Sequence, residues 1–136
     1  MDQILSQVYI GNLADSQNYD LLQKAGIRSV LSLIEIGDQS KSDDGLERVV
    51  VPLIDGAGND SRQIREAIDS LTYLLKHVAP VLVHCRAGRS RSPLVVAGHL
   101  AQAENIPLRA ALNRISRKRE IHVTGVLVQQ LERMLA

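Results

Sequence analysis

A short apolar run that ends in a thiol and a glycine-containing loop constrains this chain more than any other stretch. Residues 81–83 are apolar, His84 and Cys85 follow, and a loop with Gly88 leads into a second apolar segment near Pro93. An apolar run bounded by turn-forming residues indicates a buried strand. The sequence therefore predicts a strand, a tight loop and a helix, with Cys85 at the start of the loop.

The predicted loop has the composition of an anion-binding site. If residues 86–91 curl around one centre, their backbone N–H groups form a nest, and the next helix adds the positive end of its dipole. Arg91 lies six positions after Cys85, so its planar guanidinium can grip two oxygens of a bound phosphate. The predicted substrate-binding residues are Arg86, Ala87, Gly88, Arg89, Ser90 and Arg91.

Cys85 is the predicted nucleophile of this loop. A positive field of this kind lowers a cysteine pKa from about 8.5 to about 3.5–7.5, so the sulfur would be a thiolate at neutral pH. Ser92 directly follows Arg91 and can donate a hydrogen bond to that sulfur. The alternative is that Cys85 is a small core residue and Gly88 a turn residue. The spacing favours catalysis, because a structural thiol needs neither the arginine nor the hydroxyl.

The motif formed by His84, Cys85, Gly88, Arg91 and Ser92 resembles the signature of the cysteine-dependent protein tyrosine phosphatase superfamily. The rest of the chain is similar to the compact dual-specificity branch, and the resemblance covers nearly the whole chain. It implies hydrolysis of phosphomonoesters through a phosphocysteine intermediate. The implied substrates are phosphotyrosine and phosphoserine or phosphothreonine in proteins or peptides.

A thiolate that cleaves a phosphate ester calls for a nearby acid to protonate the leaving group. Loops that follow parallel strands meet at one edge of the sheet, so the loops after residues 34, 53 and 84 are expected to lie together. Asp55 directly follows its predicted strand and is the predicted general acid, which would later accept a proton from water. The alternative is a turn aspartate bound to its own backbone. The resemblance supports Asp55, because dual-specificity phosphatases carry their acid on a comparable loop.

Other carboxylates near this edge have other predicted places. Asp60, with Gln63 three positions later, has the pattern of a helix capping box. Asp38, Asp43 and Asp44 fall in a polar loop predicted over residues 35–45.

His84 is predicted to hydrogen-bond near the loop backbone and to tune the thiolate; the alternative is an ordinary histidine at a strand end. Residues 121–125 replace the Pro-Asn sequence that is common in protein-directed members of the family. The residue that braces the loop in its place is open, and Thr124 is the candidate.

The alternative substrate is a phospholipid. Arg86 and Arg89 add positive charge to the loop, and Glu104 is the only acidic residue between positions 84 and 119. The loop and the segment 121–125 are similar to those of phosphatidylglycerophosphate and phosphoinositide phosphatases of the same fold. An anionic lipid headgroup is therefore a second candidate partner, although the same arginines are also compatible with an ordinary solvated surface.

Composition limits the remaining classes. The chain has 136 residues, which predicts one catalytic domain over 1–136. A net charge of +1 argues against an obligate nucleic-acid binder. The single cysteine fits a reducing compartment, and no signal peptide or membrane-spanning stretch is evident, so a cytoplasmic protein without an integral membrane segment is expected. The histidines at positions 77, 99 and 122 have no metal-ligand spacing, so no metal or cofactor is expected.

Alternating predicted strands and helices indicate an α/β fold with a mainly parallel central sheet flanked by helices on both faces.

Two other function classes remain open. A phosphate-binding module with little turnover typically lacks the cysteine, the arginine or the acid, and this chain has all three. A sulfur-transfer protein of the rhodanese type also uses a cysteine in a cradle loop, but Gly88, Arg91 and Ser92 argue against that class.

Overall fold

The structure is a computed structural model that describes residues 1–37 and 44–136. Asp38 and Asp43, with part of the loop predicted over residues 35–45, lie outside the described residues. In the described ranges the chain forms, in order, β1 (Asp2–Leu5), β2 (Val8–Gly11), α1 (Leu13–Ser16), α2 (Tyr19–Lys24), β3 (Ser29–Ser32), β4 (Glu47–Val50), α3 (Ser61–His77), β5 (Val81–His84), α4 (Arg91–Glu104), α5 (Leu108–Ser116) and α6 (Gly125–Leu135).

These strands form one sheet in the order β1-β2-β5-β3-β4. β1 and β2 pair as an antiparallel hairpin, and the other neighbouring strands are parallel. β5 lies between β2 and β3, with His84 opposite both Gly11 and Ser32. All four residues of β5 are buried. The strand that leads to Cys85 is therefore fixed by neighbours on both sides, as its apolar composition predicts.

Helices cover both faces of the sheet because successive strand residues point to opposite faces. On one face, Val30 and Leu82 pack against Leu22 of α2. On the other face, their strand neighbours Leu31 and Val83 belong to the large core that also includes buried side chains of α3, α4, α5 and α6. The predicted α/β fold, with a mainly parallel sheet between helices, is confirmed.

The start of α3 differs in one detail from the predicted capping box. The Asp60 side chain caps the helix by accepting a hydrogen bond from the Arg62 backbone N–H at 2.9 Å. The Gln63 side chain instead donates to the carbonyl oxygen of Pro52 at 3.2 Å. Gln63 therefore attaches the segment after β4 to the helix, which helps to place the loop that carries Asp55.

Candidate active site

The loop after β5 and the start of α4 form the wall of a cavity of about 230 Å³ at the carboxyl edge of the parallel strands. Cys85 is 2% exposed and contributes to the cavity lining. The lining residues are Asp55, Cys85, Arg86, Ala87, Arg89, Ser90, Arg91 and His122. The structure thus places the predicted nucleophile, acid and arginine around one cavity, together with His122, which the sequence did not point to.

Backbone contacts turn several carbonyl groups of the loop away from its centre. The carbonyl oxygen of Arg86 accepts a hydrogen bond from the Leu13 N–H at 3.0 Å, at the start of α1. The carbonyl oxygen of Arg89 accepts one from the His122 N–H at 2.8 Å, in the segment before α6. These hydrogen bonds fix the direction in which the two carbonyl groups point. Since these oxygens are bound on the outside of the loop, its N–H groups are free to face an anion.

The two loop residues between Arg86 and Arg89 have carbonyl groups that accept hydrogen bonds from Arg119. Its Nε donates to the carbonyl oxygen of Gly88 at 2.7 Å, and its Nη2 donates to that of Ala87 at 3.1 Å. Its Nη1 pairs with a carboxylate oxygen of Asp2 at 2.9 Å. The side chain is 13% exposed. Arg119 therefore braces the loop from behind, a role for which Thr124 was the candidate.

Gly88 is the residue that this close packing requires. Its φ is +71°, in the left-handed region where glycine has no steric penalty. A Cβ at this position would collide with the carbonyl oxygen of Gly11 and would lie 2.7 Å from Nη2 of Arg119. A side chain here would displace either β2 or the arginine.

The environment of Cys85 favours the thiolate. Burial by itself raises the pKa of the thiol, but hydrogen bonds from the Ser92 hydroxyl, the Ser92 N–H and the Gly88 N–H, with the charge of Arg91, outweigh it and lower the pKa. The Ser92 hydroxyl is buried, and no nitrogen or oxygen atom of the described residues binds it. Its proton is therefore available to the sulfur of Cys85, which lowers the pKa of the thiol. These are the groups that the sequence motif placed around the sulfur.

Arg91 is the first residue of α4, and the described residues bind only part of its guanidinium group. Its Nη1 donates to the carbonyl oxygen of Leu53 at 3.1 Å, in the segment just before Asp55. Its Nε is buried and has no hydrogen-bond partner within the described part of the chain. A buried donor without a partner is costly. The arrangement is that of a guanidinium held ready for an oxyanion.

His84 is a buried neutral link between β3 and the loop. Its Nδ1 lies 3.1 Å from the carbonyl oxygen of Cys85, so this nitrogen carries the proton, and its Nε2 lies 2.6 Å from Oγ of Ser32, which then donates. Burial lowers the pKa of this histidine, although the bond to the Cys85 carbonyl opposes the shift. The histidine therefore bonds to the backbone at Cys85, while its effect on the thiolate stays a prediction, and Ser32 is a partner that the sequence did not indicate.

Asp55 is exposed at the edge of the cavity, on a loop closed by Asn59. The Asn59 side chain accepts from the Ile54 N–H and donates to the Ile54 carbonyl oxygen, each at 2.8 Å. Oδ1 of Asp55 accepts from Oγ of Ser90 at 2.6 Å and from Oγ1 of Thr124 at 2.8 Å. The carboxylate is therefore bonded to residues of other segments, and the alternative of a turn aspartate bonded to its own backbone does not describe it.

Charged side chains at the rim are partly paired with each other. Arg89 lies 3.1 Å from a carboxylate oxygen of Glu120, and Nε2 of His122 lies 3.3 Å from the other. All three side chains are more than half exposed. Glu120 therefore offsets part of the positive charge that Arg86 and Arg89 bring to the cavity.

Residues 1–37 and 44–136 contain neither a cluster suited to a metal ion nor a helix suited to a membrane. This part of the chain has no group of three or more His, Cys, Asp or Glu side chains placed to hold a metal ion. It also has no helix that is both long and apolar enough to cross a membrane.

Known proteins resemble this chain in sequence over most of its length. The family model described as "Dual specificity phosphatase, catalytic domain" matches residues 8–134. Human dual specificity protein phosphatase 9 is 34% identical over 119 residues, which are 86% of this chain and 31% of the relative. Mouse dual specificity protein phosphatase 14 is 31% identical over 88% of this chain and 60% of the relative. The chain thus spans about a third of the length of the human relative.

Two solved structures superpose closely on this fold. DUSP15 superposes with a TM-score of 0.86 at 24% identity, covering 97% of this chain and 85% of that one. Human DUSP28 gives a TM-score of 0.85 at 17% identity over 99% and 97% of the two chains. The family model covers almost the entire sequence and includes the loop, Cys85 and Asp55 described above. The chain therefore belongs to the family of dual specificity phosphatase catalytic domains.

Proposed function

We propose that residues 1–136 form one catalytic domain that hydrolyses phosphomonoesters of phosphorylated proteins through a phosphocysteine intermediate. The observation that carries this proposal is the lowered pKa of the buried Cys85 thiol beside a loop whose carbonyl groups are bound from outside. A nucleophilic thiolate and an anion cradle at one point are what phosphoryl transfer to sulfur requires.

The residues divide the reaction between them. The N–H groups of the loop and the free Nε of Arg91 bind the phosphoryl oxygens, and Sγ of Cys85 attacks phosphorus. The P–O bond to the leaving group breaks as Asp55 gives that oxygen its proton. Water then attacks the phosphocysteine, the ionised Asp55 takes a proton from it, and the S–P bond breaks to release inorganic phosphate and the thiolate. Ser92 stabilises the sulfur both as attacker and as leaving group.

The cavity favours a broad range of phosphorylated side chains. None of Tyr9, Tyr19 and Tyr73 lines it, so no aromatic wall selects phosphotyrosine. Phosphotyrosine and phosphoserine or phosphothreonine can therefore both present their phosphate to Cys85. The pairing of Glu120 with Arg89 reduces the charge that a polyanionic lipid headgroup would use, which favours protein substrates over phospholipids. The lone cysteine is consistent with a reducing compartment such as the cytoplasm.

Release of inorganic phosphate tests this function. We would compare a phosphotyrosine peptide, a phosphothreonine peptide and micelles of an anionic phospholipid, with a chelator present and Cys85→Ser as the blank. Turnover of both peptides well above the lipid is the expected result. Lipid turnover well above peptide turnover would overturn the proposed substrate class, while thiosulfate turnover without phosphate release would overturn the reaction itself.

The intermediate can be tested separately from the substrate. Rapid acid quenching of the wild-type domain with a phosphotyrosine peptide should yield a protein whose mass has increased by one phosphoryl group located on Cys85. A protein that turns over substrate with no phosphoryl group on Cys85 under any quench time would contradict the covalent mechanism.

A further inference from the structure

Thr124 stands at the N-cap of α6, but its side chain makes no capping hydrogen bond. Its hydroxyl instead donates to Oδ1 of Asp55 at 2.8 Å, across 69 positions of sequence. Ser90, in the phosphate loop, donates to the same oxygen at 2.6 Å. The Thr124 N–H in turn donates to Oγ of Ser90 at 3.2 Å. The three side chains form one cluster that joins the phosphate loop, the Asp55 loop and the start of α6.

We propose that Thr124 and Ser90 are positioning residues that hold the carboxyl group of Asp55 at the phosphate loop and determine which of its oxygens carries the proton. The inference rests on the proposed function, in which Asp55 protonates the leaving group. It adds two residues whose contribution passes through Asp55 rather than through contact with the substrate.

The proton count of the two hydroxyl groups supports this assignment. Each hydroxyl has one proton to donate. The two hydroxyl oxygens lie 3.3 Å from each other and closer to Oδ1 of Asp55, at 2.6 and 2.8 Å, so the geometry assigns both protons to Oδ1. While both hydroxyl groups donate to Oδ1, the proton of a neutral Asp55 lies on Oδ2, which accepts no hydrogen bond from the described residues. One oxygen anchors the carboxyl group, and the other is left for the leaving group.

The positions of the anchors also support it. Asn59 closes the backbone of the Asp55 loop but does not touch the carboxylate. Ser90 is 7% exposed and lies directly before Arg91, so its place relative to Cys85 is set by the loop itself. Because the carboxyl group is bonded to Ser90, its distance from the reacting phosphorus depends on the loop and on Thr124. Small errors in such distances reduce rates strongly.

The test compares leaving groups that need a proton with leaving groups that do not. Thr124→Val keeps the shape of the side chain and removes the hydroxyl, and Thr124→Ser keeps the hydroxyl. We expect Thr124→Val to lower kcat/KM on phenyl and alkyl phosphates by about tenfold, part of the 10²–10⁴ that an acid contributes. Since kcat/KM reports only the steps up to departure of the leaving group, the later role of Asp55 as a base does not affect it. The same variant should leave kcat/KM on 4-nitrophenyl phosphate nearly unchanged, and Thr124→Ser should restore wild-type behaviour on all of them.

Thr72→Val is the matched control, because it removes a threonine hydroxyl of α3 that binds the Ile68 carbonyl oxygen and lies 3.0 Å from Nδ1 of His99, and neither Thr72 nor His99 lines the cavity. It should behave as wild type on every leaving group. An equal loss with Thr124→Val on good and poor leaving groups would overturn the proposal, since Thr124 would then serve the phosphate loop alone. A Thr124→Val enzyme equal to wild type throughout would overturn it as well.

A double-mutant cycle separates failure of this inference from failure of the proposed function. If Thr124 acts through Asp55, adding Thr124→Val to Asp55→Asn should cause no further loss of kcat/KM on phenyl phosphate. Additive losses would overturn the positioning role while leaving Asp55 as the acid. An Asp55→Asn enzyme with an unchanged dependence on the leaving group would instead overturn the assignment of the acid in the proposed function.

Discussion

The guanidinium of Arg119 binds the carbonyl oxygens of two consecutive loop residues, and its shortest contact is the 2.7 Å bond from Nε to Gly88. These carbonyl groups point away from the cavity that Cys85 lines. If Arg119 were removed, the two oxygens could turn inward and present negative charge to the substrate. We therefore expect Arg119 to contribute to anion binding without touching the anion.

Arg119→Met should weaken binding of inorganic phosphate and raise KM by about tenfold, since the unpaired carbonyl group of the buried Gly88 costs about 1–3 kcal/mol. Arg119→Lys should recover only part of the loss, because an ammonium group cannot donate along two fixed directions. Competitive inhibition by phosphate measures the effect. Arg117→Met, at an exposed neighbouring position, is the control, and an Arg119→Met enzyme with wild-type phosphate affinity would contradict the role of the brace.

Cys85→Ser should abolish turnover and retain binding of a phosphopeptide, because the loop N–H groups and Arg91 remain in place. Isothermal titration with a phosphotyrosine peptide measures binding, and phosphate release measures turnover. Wild-type rates in this variant would end the proposed mechanism. Loss of binding together with turnover would mean that the sulfur, and not the loop, holds the substrate.

Ser92→Ala should shift the pH dependence of thiol alkylation. The Ser92 hydroxyl lowers the pKa of Cys85, so its removal raises that pKa. The thiol form, which reacts slowly, then persists to higher pH, and the inflection of the rate of iodoacetamide modification moves upward. Ser116→Ala, which removes an exposed hydroxyl on α5, should leave the inflection in place. A downward shift in Ser92→Ala would contradict the stated direction.

Arg91→Lys should lower kcat and raise KM, each by about tenfold or more, because a hydrogen bond to a charged group contributes about 1.5–3 kcal/mol. The lysine ammonium cannot both hold the Leu53 carbonyl oxygen and offer a planar pair of donors to phosphate. Steady-state kinetics on an aryl phosphate measure both constants. Arg62→Lys, whose side chain is 93% exposed on α3, is the matched control. Retained activity in Arg91→Lys would exclude a bidentate role.

The sequence predicts the parts of the site that lie within one local unit. The strand, Cys85, Gly88 and Arg91 follow each other within eleven residues, so hydrophobic pattern and spacing suffice to place them together. Asp55 could be selected because the ends of parallel strands share one edge of the sheet. The α/β fold and its mainly parallel sheet follow from the alternation of strand and helix patterns.

The parts that sequence reasoning missed depend on contacts between distant segments. In the sequence Arg119 is one of several basic residues between positions 84 and 119, and nothing in its neighbours indicates that the segment after α5 returns to the loop. Thr124 was the candidate for bracing the loop; it does contact the loop, through Ser90, and its hydroxyl also binds Asp55, which the sequence did not indicate. His122 binds Arg89 through its backbone N–H, which any residue other than proline has, and its side chain lies beside Glu120; neither contact could be read from the residues around it. The only cue was the replacement of Pro-Asn, which showed that this segment differed.

The outward-facing carbonyl groups of the loop are bound by the start of α1, by Arg119 and by the segment before α6, which are three separate parts of the chain. Restricting the backbone of one residue to a single conformation costs about 1–2 kcal/mol of free energy at room temperature, through lost conformational entropy. In this domain the loop is ordered when the chain folds, so this cost belongs to the free energy of folding and not to that of phosphate binding. The free energy of phosphate binding is thus not reduced by the ordering of a flexible loop, so a small cavity with few side-chain contacts can still bind a dianion firmly.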